Sequence, residues 1–265
     1  MSVRSDGKSG VLAAATALLG LTGFGLVIWG ARLAGRVRAL RDRLEEESLR
    51  RRAFVADASH ELRTPITALR TRIELILDGP DDGGLDDTLR RSLDDVDRLH
   101  QIVDDLLVLA SIDAGDLPAR ERVDLGALVE TVTGGRVPPP VPTTIKIEPA
   151  VPVVGNPPRL GRLLLNLLAN AERHASGGIE VEVRAERGEA VVEVRDDGPG
   201  IPPGARDRVF ERFTRLDTAR SRADGGSGLG LAVARQIAVA HGGRLYAADA
   251  AHGARLVLRL PLARP

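Results

Sequence analysis

Residues 78–84 read DGPDDGG, and this run separates two long segments with helical patterns. A helix does not continue through it, because Pro80 cannot donate a helical backbone hydrogen bond and the glycines destabilise helical backbone. Residues 33–113 therefore predict a helical hairpin that turns at this run.

Each arm of the predicted hairpin carries one apolar stripe, with residues spaced mostly three or four apart. Two helices cannot enclose a core alone, so the economical arrangement is a homodimer in which two hairpins form a four-helix bundle. The stripe residues are Leu62, Ile66, Leu69, Ile73 and Ile76 in the first arm, and Leu85, Leu89, Val96, Leu99, Val103, Leu106 and Ala110 in the second.

His60 lies in the first arm, two residues before Leu62 and about 200° around the helix from the apolar stripe. We expect it to face solvent, beside backbone that Pro65 loosens or kinks. Neutral imidazole is a nucleophile, and Glu61 can orient the ring or accept its proton. By itself, an exposed histidine on a helix is more often an ordinary surface residue than a functional one.

Composition excludes several classes of function. The 265 residues contain 37 basic and 37 acidic side chains, which argues against a protein that coats nucleic acid. The absence of cysteine excludes disulfides, thiolate-bound metals and thiol catalysis. Aromatic residues make up only 2% of the chain, so no stacking surface for nucleic-acid bases is expected.

The N-terminal region predicts a single transmembrane helix over residues 11–31, which contain no charge and are long enough to cross a bilayer. A cleaved signal peptide is the alternative, disfavoured by the length of the run and by Trp29 at an interfacial position. Arginines following this run predict that the long C-terminal part lies in the cytoplasm, with the helix in the inner or plasma membrane. Residues 1–10 would then be extracytoplasmic, and residues 32–52 a helical linker.

Beyond the hairpin, proposed at residues 53–114, residues 115–265 predict an α+β domain. Residues 134–142 (GGRVPPPVP) indicate a loop near its start. Strands are predicted over residues 179–185, 190–195, 244–248 and 255–260, with helices over residues 160–171 and 229–240.

Polar residues in this second domain suggest a nucleotide site. Asn166 and Asn170 share one face of an otherwise apolar helix, and Arg173 and His174 follow one turn later. Phosphate oxygens and a hydrated Mg²⁺ would satisfy such amides. The alternative is a pair of capping or surface asparagines.

Two glycine-rich runs complete the pattern, DDGPGI at residues 196–201 and GGSGLGL at residues 225–231. Glycines allow the backbone to approach a ligand closely, and the second run opens a helix whose N-terminus favours anions. The first run is not a dinucleotide fingerprint, because two aspartates would repel a pyrophosphate and Pro202 disrupts the turn. There is no P-loop sequence either.

Together these motifs resemble the sensor histidine kinases of two-component systems, over about residues 36–265. Residues 54–65 (FVADASHELRTP) are similar to the phospho-acceptor box of that family, and the other boxes follow in the family's order. They are the N box at residues 166–170, the first glycine box at Asp196, Gly198 and Gly200, the F box at residues 209–215 and the second glycine box at Gly226, Gly228 and Gly230.

The resemblance implies a HisKA-type dimerisation and phospho-acceptor hairpin, followed by a GHKL-type ATP-binding domain with the α/β sandwich of the Bergerat fold. His60 would take the γ-phosphoryl group of ATP with help from Glu61 and pass it to a response regulator receiver domain. Thr64 would assist phosphatase activity toward that regulator. Asn170 and Asn166 would hold Mg²⁺. The expected ATP-binding residues are Asn166, Asn170, Arg173, His174, Asp196, Gly198, Gly200, Arg215, Gly226, Gly228, Leu229 and Gly230, under a lid between Arg212 and Gly226.

Two residues depart from the family pattern, since Asn156 stands where aspartate is frequent and Asp197 where asparagine is frequent. Neither obviously disables nucleotide binding. The short front end leaves no room for a HAMP-type relay, so a signal would enter through the membrane helix or a partner membrane protein.

Two other classes of function are compatible with parts of this pattern. One is an ATPase of the related chaperone and topoisomerase type, which lacks a phospho-acceptor box. The other is a dimeric scaffold with a dead nucleotide site, disfavoured because Asn170, Asp196 and both glycine boxes are intact.

Overall fold

A computed structural model of the chain describes residues 36, 41, 45, 55–56, 58–76, 85–116, 118–134, 141–216 and 227–264. The chain divides into two compact units, Met1–Ala56 and Asp57–Pro265. The predicted membrane segment at residues 11–31 lies outside the described residues. Among the helices that are described, none combines the length and apolar composition needed to cross a bilayer.

The second unit begins with the two predicted hairpin arms. Helix α1 covers residues 58–76 and continues through Pro65, and helix α2 covers Leu85–Asp113. Arg72 of α1 pairs with the carboxylate of Asp95 in α2, and its guanidinium also donates to the carbonyl of Arg91 at 3.1 Å. The two predicted helices are confirmed, whereas the turn at residues 78–84 lies outside the described part of the chain.

Helix α2 has a buried face in addition to the one exposed apolar stripe that was predicted. Viewed down the axis at 100° per residue, its exposed apolar residues fall within an arc of about 80°. The residues of its buried face lie on the opposite side and pack toward the second domain. The exposed residues are Leu85, Leu89, Leu93, Val103 and Leu107, and the buried ones include Ile102, Asp105 and Leu109.

The rest of the unit is a mixed α+β domain built on a five-stranded sheet with strand order β2-β4-β5-β7-β6. Strands β2 and β4 are parallel, and the other pairs are antiparallel. A separate two-stranded sheet pairs β1 with β3. The strands are β1 (Glu121–Asp124), β2 (Thr143–Ile147), β3 (Pro152–Gly155), β4 (Ile179–Glu186), β5 (Glu189–Asp196), β6 (Arg244–Ala247) and β7 (Arg255–Pro261).

Three further helices belong to this domain: α3 (Leu125–Gly134), α4 (Pro157–His174) and α5 (Gly230–Ala240). Helix α4 packs against both α3 and α5, and α2 packs against α5. Helix α4 begins as its sequence dictates, since the Asn156 side chain accepts a hydrogen bond from the Arg159 amide at 3.1 Å and Pro157 occupies the first turn.

The structure confirms the predicted helices and strands from residue 160 onward. It adds six elements that were not predicted: β1, α3, β2, β3 and two short 3-10 helices at Pro203–Ala205 and Arg208–Phe210. The reason is clearest for β2, whose three central residues are all exposed, so that its sequence lacks the alternation of a half-buried strand. Its position at the edge of the sheet explains this exposure.

One buried acid organises the charged side of the sheet. Glu193 on the central strand β5 is only 1% exposed and is surrounded by Arg184, Arg195 and Arg255. Burial alone would raise the pKa of Glu193, but the hydrogen bonds from Arg255 and Arg195 outweigh it, and the pKa is lowered. The carboxylate is therefore held in its charged form.

Candidate nucleotide-binding site

A cavity of about 340 Å³ lies where α2, α4, the end of β5 and the start of α5 meet. This volume is at the lower end of the range for small-molecule sites. It brings together most of the predicted nucleotide residues from four separate motifs, the N box, both glycine boxes and the F box. The predicted residues that line it are Asn166, Asn170, Arg173, His174, Asp196, Gly200, Arg215, Gly228 and Gly230.

Three predicted residues are not in this lining. Gly198 lies behind Asp196, to which its amide donates, and Leu229 is fully buried at the start of α5. Gly226 lies outside the described residues, as does most of the expected lid, residues 217–226.

Asp196 ends strand β5 at the floor of the cavity and is 7% exposed. Its Oδ1 atom accepts hydrogen bonds from the amides of Gly198 at 3.0 Å and Ala254 at 3.2 Å. Gly253 makes this arrangement possible, because it has φ +68° and a Cβ there would overlap the backbone oxygen of Asp196. The backbone of two segments thus fixes the orientation of the carboxylate.

The two asparagines lie one turn apart on α4. Asn166 is 6% exposed, and no described residue accepts a hydrogen bond from its Nδ2. A buried donor without a partner is destabilising, and an acceptor oxygen supplied by a ligand would satisfy it. Asn170 is half-buried and lines the same cavity.

The second glycine run closes against the F box. Gly228 has φ +69°, and a Cβ at this position would lie 2.8 Å from the backbone carbon of Phe213. The amide of Phe213 donates to the carbonyl of Gly228 at 3.0 Å. The two ends of the expected lid segment are therefore tied together at the rim of the cavity.

Basic side chains line the cavity at the end of α4 and after the F box, namely Arg173, His174 and Arg215. The Nη2 atom of Arg215 is buried and has no hydrogen-bond partner among the described residues. The arrangement can accommodate a polyanion, because charged donors are present and one of them has no partner in the part of the chain that the structure describes.

Sequence reasoning missed the wall that α2 contributes through Arg98, Gln101, Ile102 and Asp105. Arg162 connects α4 to this part of α2, because its Nη2 donates to Asp105 Oδ1 at 2.8 Å and to the Gln101 carbonyl at 3.3 Å. Burial raises the pKa of Asp105, and the hydrogen bond from Arg162 opposes this effect. The pairing joins residues 57 positions apart in sequence, so no local signal could have found it.

His241 is a second residue that the sequence did not single out. It is buried behind the site, where its Nε2 accepts from the Asn156 amide at 3.1 Å and its Nδ1 lies 2.8 Å from the Ile237 carbonyl. Burial lowers the pKa of His241, which favours the neutral ring. This geometry links the start of α4 to the end of α5.

Both residues that depart from the family pattern have structural roles. Asn156 caps α4, and its Nδ2 donates to the carbonyl of Ala119 at 3.1 Å. Asp197 Oδ1 accepts from the amides of Gly177 at 3.0 Å and Ser176 at 2.7 Å, and these bonds lower its pKa. Neither substitution places an obstacle in the cavity lining.

His60 is exposed on α1, as predicted, and does not line the nucleotide cavity. It borders a separate open groove of about 460 Å³ together with Arg63, Thr64, Thr67 and Ala68. Thr64 Oγ1 donates to the His60 carbonyl at 3.4 Å, and Glu61 is half-buried beside them. The phospho-acceptor candidate and the nucleotide residues therefore border two different depressions of the surface.

Comparison with known proteins agrees with this division. The family model of the His Kinase A (phospho-acceptor) domain matches residues 50–115. The model of the histidine kinase-, DNA gyrase B-, and HSP90-like ATPase matches residues 155–264. The first match contains the exposed histidine together with the α2 wall of the cavity, and the second contains all the other residues that line it.

Individual relatives extend the likeness across both domains. The chain is 40% identical over 217 residues to the probable sensor histidine kinase TcrY of Mycobacterium tuberculosis, covering 80% of this chain and 46% of that protein. The solved structure of AdeS from Acinetobacter baumannii aligns with a TM-score of 0.63 at 26% identity, covering 77% of this chain and 98% of AdeS. Full-length ShkA, solved in complex with AMPPNP, aligns with a TM-score of 0.59 at 26% identity, covering 78% of this chain and 45% of ShkA.

The chain spans about half the length of the curated relatives it matches. Within that half, both family models and the aligned sequence cover the phospho-acceptor hairpin and the ATP-binding domain in the same order. The chain belongs to the sensor histidine kinases of two-component systems.

Proposed function

We propose that this protein is an ATP-dependent protein-histidine kinase that phosphorylates itself on His60. The observation that carries the proposal is that one cavity gathers Asn166, Asp196 and Gly228 from three separate motifs, while His60 stands exposed on its own helix. A scaffold with a decayed site would not need to keep these groups together.

In the cavity, Asp196 would recognise the base. Its Oδ1 is already occupied by two backbone amides, so Oδ2 is the atom proposed to accept a hydrogen bond from the adenine amino group. Gly198 and Gly200 allow the backbone to fold around this carboxylate, and Leu229 anchors the glycine run that faces the phosphates.

The phosphates would lie toward Asn166, Asn170 and the cationic end of α4. The unpartnered Nδ2 of Asn166 suits a phosphate oxygen, and Arg173, His174 and Arg215 would neutralise phosphate charge. Gly226, Gly228 and Gly230 would close over the triphosphate under the lid.

The donor set suits Mg²⁺ held jointly by protein and phosphates. Within the described residues, no cluster of three or more histidine or acidic side chains forms a metal site. The amide oxygen of Asn170, with Asn166 one turn away, offers the oxygen ligand that a hydrated Mg²⁺ accepts when phosphates supply others. Bound there, Mg²⁺ would offset the charge of the transferring phosphoryl group.

His60 would then act as the nucleophile. A ring nitrogen forms a bond to the γ-phosphorus as the bond from that phosphorus to the ADP oxygen breaks, and the proton on the imidazole passes to Glu61. Positioning and charge neutralisation would supply most of the acceleration. The ATP-binding domain must therefore deliver its nucleotide to a histidine that lies outside the cavity.

We further propose a homodimer in which the exposed apolar residues of α1 and α2 form a four-helix bundle. Ile66, Ile73 and Leu75 of α1 are exposed in the single chain, as is the stripe of α2. The open groove around His60 and Thr64 would receive the response regulator receiver domain, whose aspartate takes the phosphoryl group. In this proposal Thr64, which borders the same groove, would assist hydrolysis of that phospho-aspartate.

The proposed domain organisation follows the sequence: an extracytoplasmic N-terminus at residues 1–10, a transmembrane helix at residues 11–31 and a helical linker at residues 32–52. The hairpin occupies residues 53–114 and the ATP-binding domain residues 115–265. In this arrangement the protein is a single-pass sensor of the inner or plasma membrane, with its catalytic part in the cytoplasm. A partner membrane protein is one route for the signal.

The test is incubation of the full chain with γ-labelled ATP and Mg²⁺, beside His60→Gln and Asp196→Asn. We expect acid-labile, base-stable label on the wild-type chain and none on either variant. His60→Gln should still bind ATP, whereas Asp196→Asn should not. Label that persists in His60→Gln would refute the assignment of the phospho-acceptor, and ATP binding that persists in Asp196→Asn would refute the assignment of the cavity.

A further inference from the structure

The wall that α2 contributes to the nucleotide cavity includes one cation, Arg98. At 100° per residue, Arg98, Ile102 and Asp105 fall within an arc of about 60° on α2. This arc lies opposite the exposed apolar stripe, on the face that packs toward the second domain. Arg98 is therefore directed toward the nucleotide cavity.

The register between α2 and α4 places Arg98 near the two asparagines. Arg159 Nη2 donates to Ser111 Oγ at 2.8 Å, and Arg162, three residues later, donates to Asp105. The two helices thus run antiparallel, since advancing along α4 means moving back along α2. Starting from the Arg162–Asp105 contact, Arg98 lies about two turns back along α2 and Asn170 lies about two turns forward along α4. Because the helices are antiparallel, Arg98 and Asn170 lie at about the same height along the two helix axes.

Three buried nitrogen donors in this cavity have no hydrogen-bond partner among the described residues: Arg98 Nε, Asn166 Nδ2 and Arg215 Nη2. They come from α2, from α4 and from the segment after the F box. Each such donor is destabilising when left unsatisfied, and a guanidinium keeps its charge at all accessible pH values. A ligand with several anionic oxygens in this cavity would offer acceptors to the residues that carry these donors.

We propose that Arg98 is a phosphate-binding residue of the nucleotide site, so that ATP is held jointly by the hairpin and the ATP-binding domain. The inference rests on the proposed function in one respect, namely that ATP occupies this cavity. It extends that function by assigning a phosphate contact to α2, which carries none of the nucleotide motifs. Nucleotide affinity then depends on the docking of α2 that the Arg162 and Asp105 pair maintains.

The test measures binding of ATP and of adenosine to the full chain by calorimetry, for wild type, Arg98→Ala and Arg98→Lys. Arg90→Ala is the matched control, since Arg90 is exposed on the same helix and does not line the cavity. We expect Arg98→Ala to weaken ATP binding about tenfold, as for loss of a charge-assisted hydrogen bond, with Arg98→Lys intermediate. Adenosine binding and the melting temperature should remain at the values of the control.

Two outcomes would overturn the inference: ATP affinity unchanged in Arg98→Ala, or ATP and adenosine affinities weakened equally. Neither outcome can be confused with failure of the proposed function, which would appear as a wild-type chain that does not bind ATP or an Asp196→Asn variant that does. A double-mutant cycle tests the role of docking. In the Arg162→Ala background the effect of Arg98→Ala should shrink, and a full tenfold effect there would refute the dependence on docking.

Discussion

Gly253 is the residue on which the geometry of the adenine site depends most directly. Its positive φ and its contact with the Asp196 backbone leave no room for a side chain. We expect Gly253→Ala to displace Asp196 and to weaken ATP binding at least tenfold. Gly188→Ala is the matched control, because Gly188 also has a positive φ, +82°, but open space around it.

The control should lose only about 1–2 kcal/mol of unfolding free energy from backbone strain and keep its nucleotide affinity. Calorimetric titration with ATP, together with thermal unfolding of both variants, separates the two effects. Wild-type ATP affinity in Gly253→Ala would show that the contact with Asp196 is not required.

His241 makes the stability of the ATP-binding domain depend on pH. Burial lowers the pKa of the folded ring, and Arg120 and Arg159 act in the same direction. His241 therefore binds a proton more readily in the unfolded chain than in the folded one. Its contribution to the free energy of unfolding is fully present above the unfolded pKa of about 6.5 and is lost as the pH falls below that value. His241→Gln removes the titrating group.

We expect the wild-type chain to lose more thermal stability between pH 7.5 and pH 5.5 than His241→Gln does. Circular dichroism melts at the two pH values measure this difference, and subtracting the variant cancels the other groups that titrate in the range. An equal loss in both proteins would mean that His241 does not titrate on unfolding in this window.

At the scale of a single strand, β5 concentrates the buried charge of the sheet. Glu193→Gln keeps the side-chain volume but removes the charge that Arg184, Arg195 and Arg255 share. We expect a loss of about 1–3 kcal/mol in unfolding free energy, because hydrogen bonds to a buried carboxylate are charge-assisted. Urea denaturation at pH 7 measures it.

Glu189→Gln on the same strand is the control for this measurement. Glu189 pairs with Arg244 and Arg259 at a more exposed position, where ion pairs contribute at most about 1 kcal/mol. Equal effects of the two substitutions would contradict the special role of the buried position.

How far sequence predicts each element depends on whether its signal is local. Helix α1, with its stripe and exposed His60, follows from spacing alone, and so does β4, where apolar and charged residues alternate. Strand β2 escaped prediction because it lies at an edge with its centre exposed. The buried face of α2 was not predicted, because it is defined by contacts with Arg162. Arg162 belongs to the ATP-binding domain and lies 57 residues from its partner Asp105 in sequence.

The candidate site shows the same division. Asn166, Asp196 and Gly228 lie in short motifs whose residue types predict nucleotide binding, and all three line the cavity. Arg98 lies in an ordinary charged helix, and only the tertiary packing of α2 against α4 and α5 gives it a place in the cavity. Motifs predict the groups carried by one segment, and packing determines which other segment completes the site.

For the whole molecule, the exposed apolar stripe of α2 predicts how two chains associate. Leu93 and Leu107 are 64% and 63% exposed and lie about 40° apart around the helix, on the side away from the ATP-binding domain. Exposure of this many large apolar side chains along one face favours burial against a second copy. We expect the double substitution Leu93→Glu and Leu107→Glu to convert the dimer to a monomer.

Analytical ultracentrifugation of the full chain measures the mass, with Asp94→Ala and Asp97→Ala as the control pair of exposed polar positions on the same helix. The monomeric variant should still bind ATP with normal affinity, because neither leucine lines the cavity. A variant that remains dimeric with native helical content would place the dimer interface elsewhere. A dimer lost together with ATP binding would indicate that the hairpin must pair before α2 can dock on the nucleotide site.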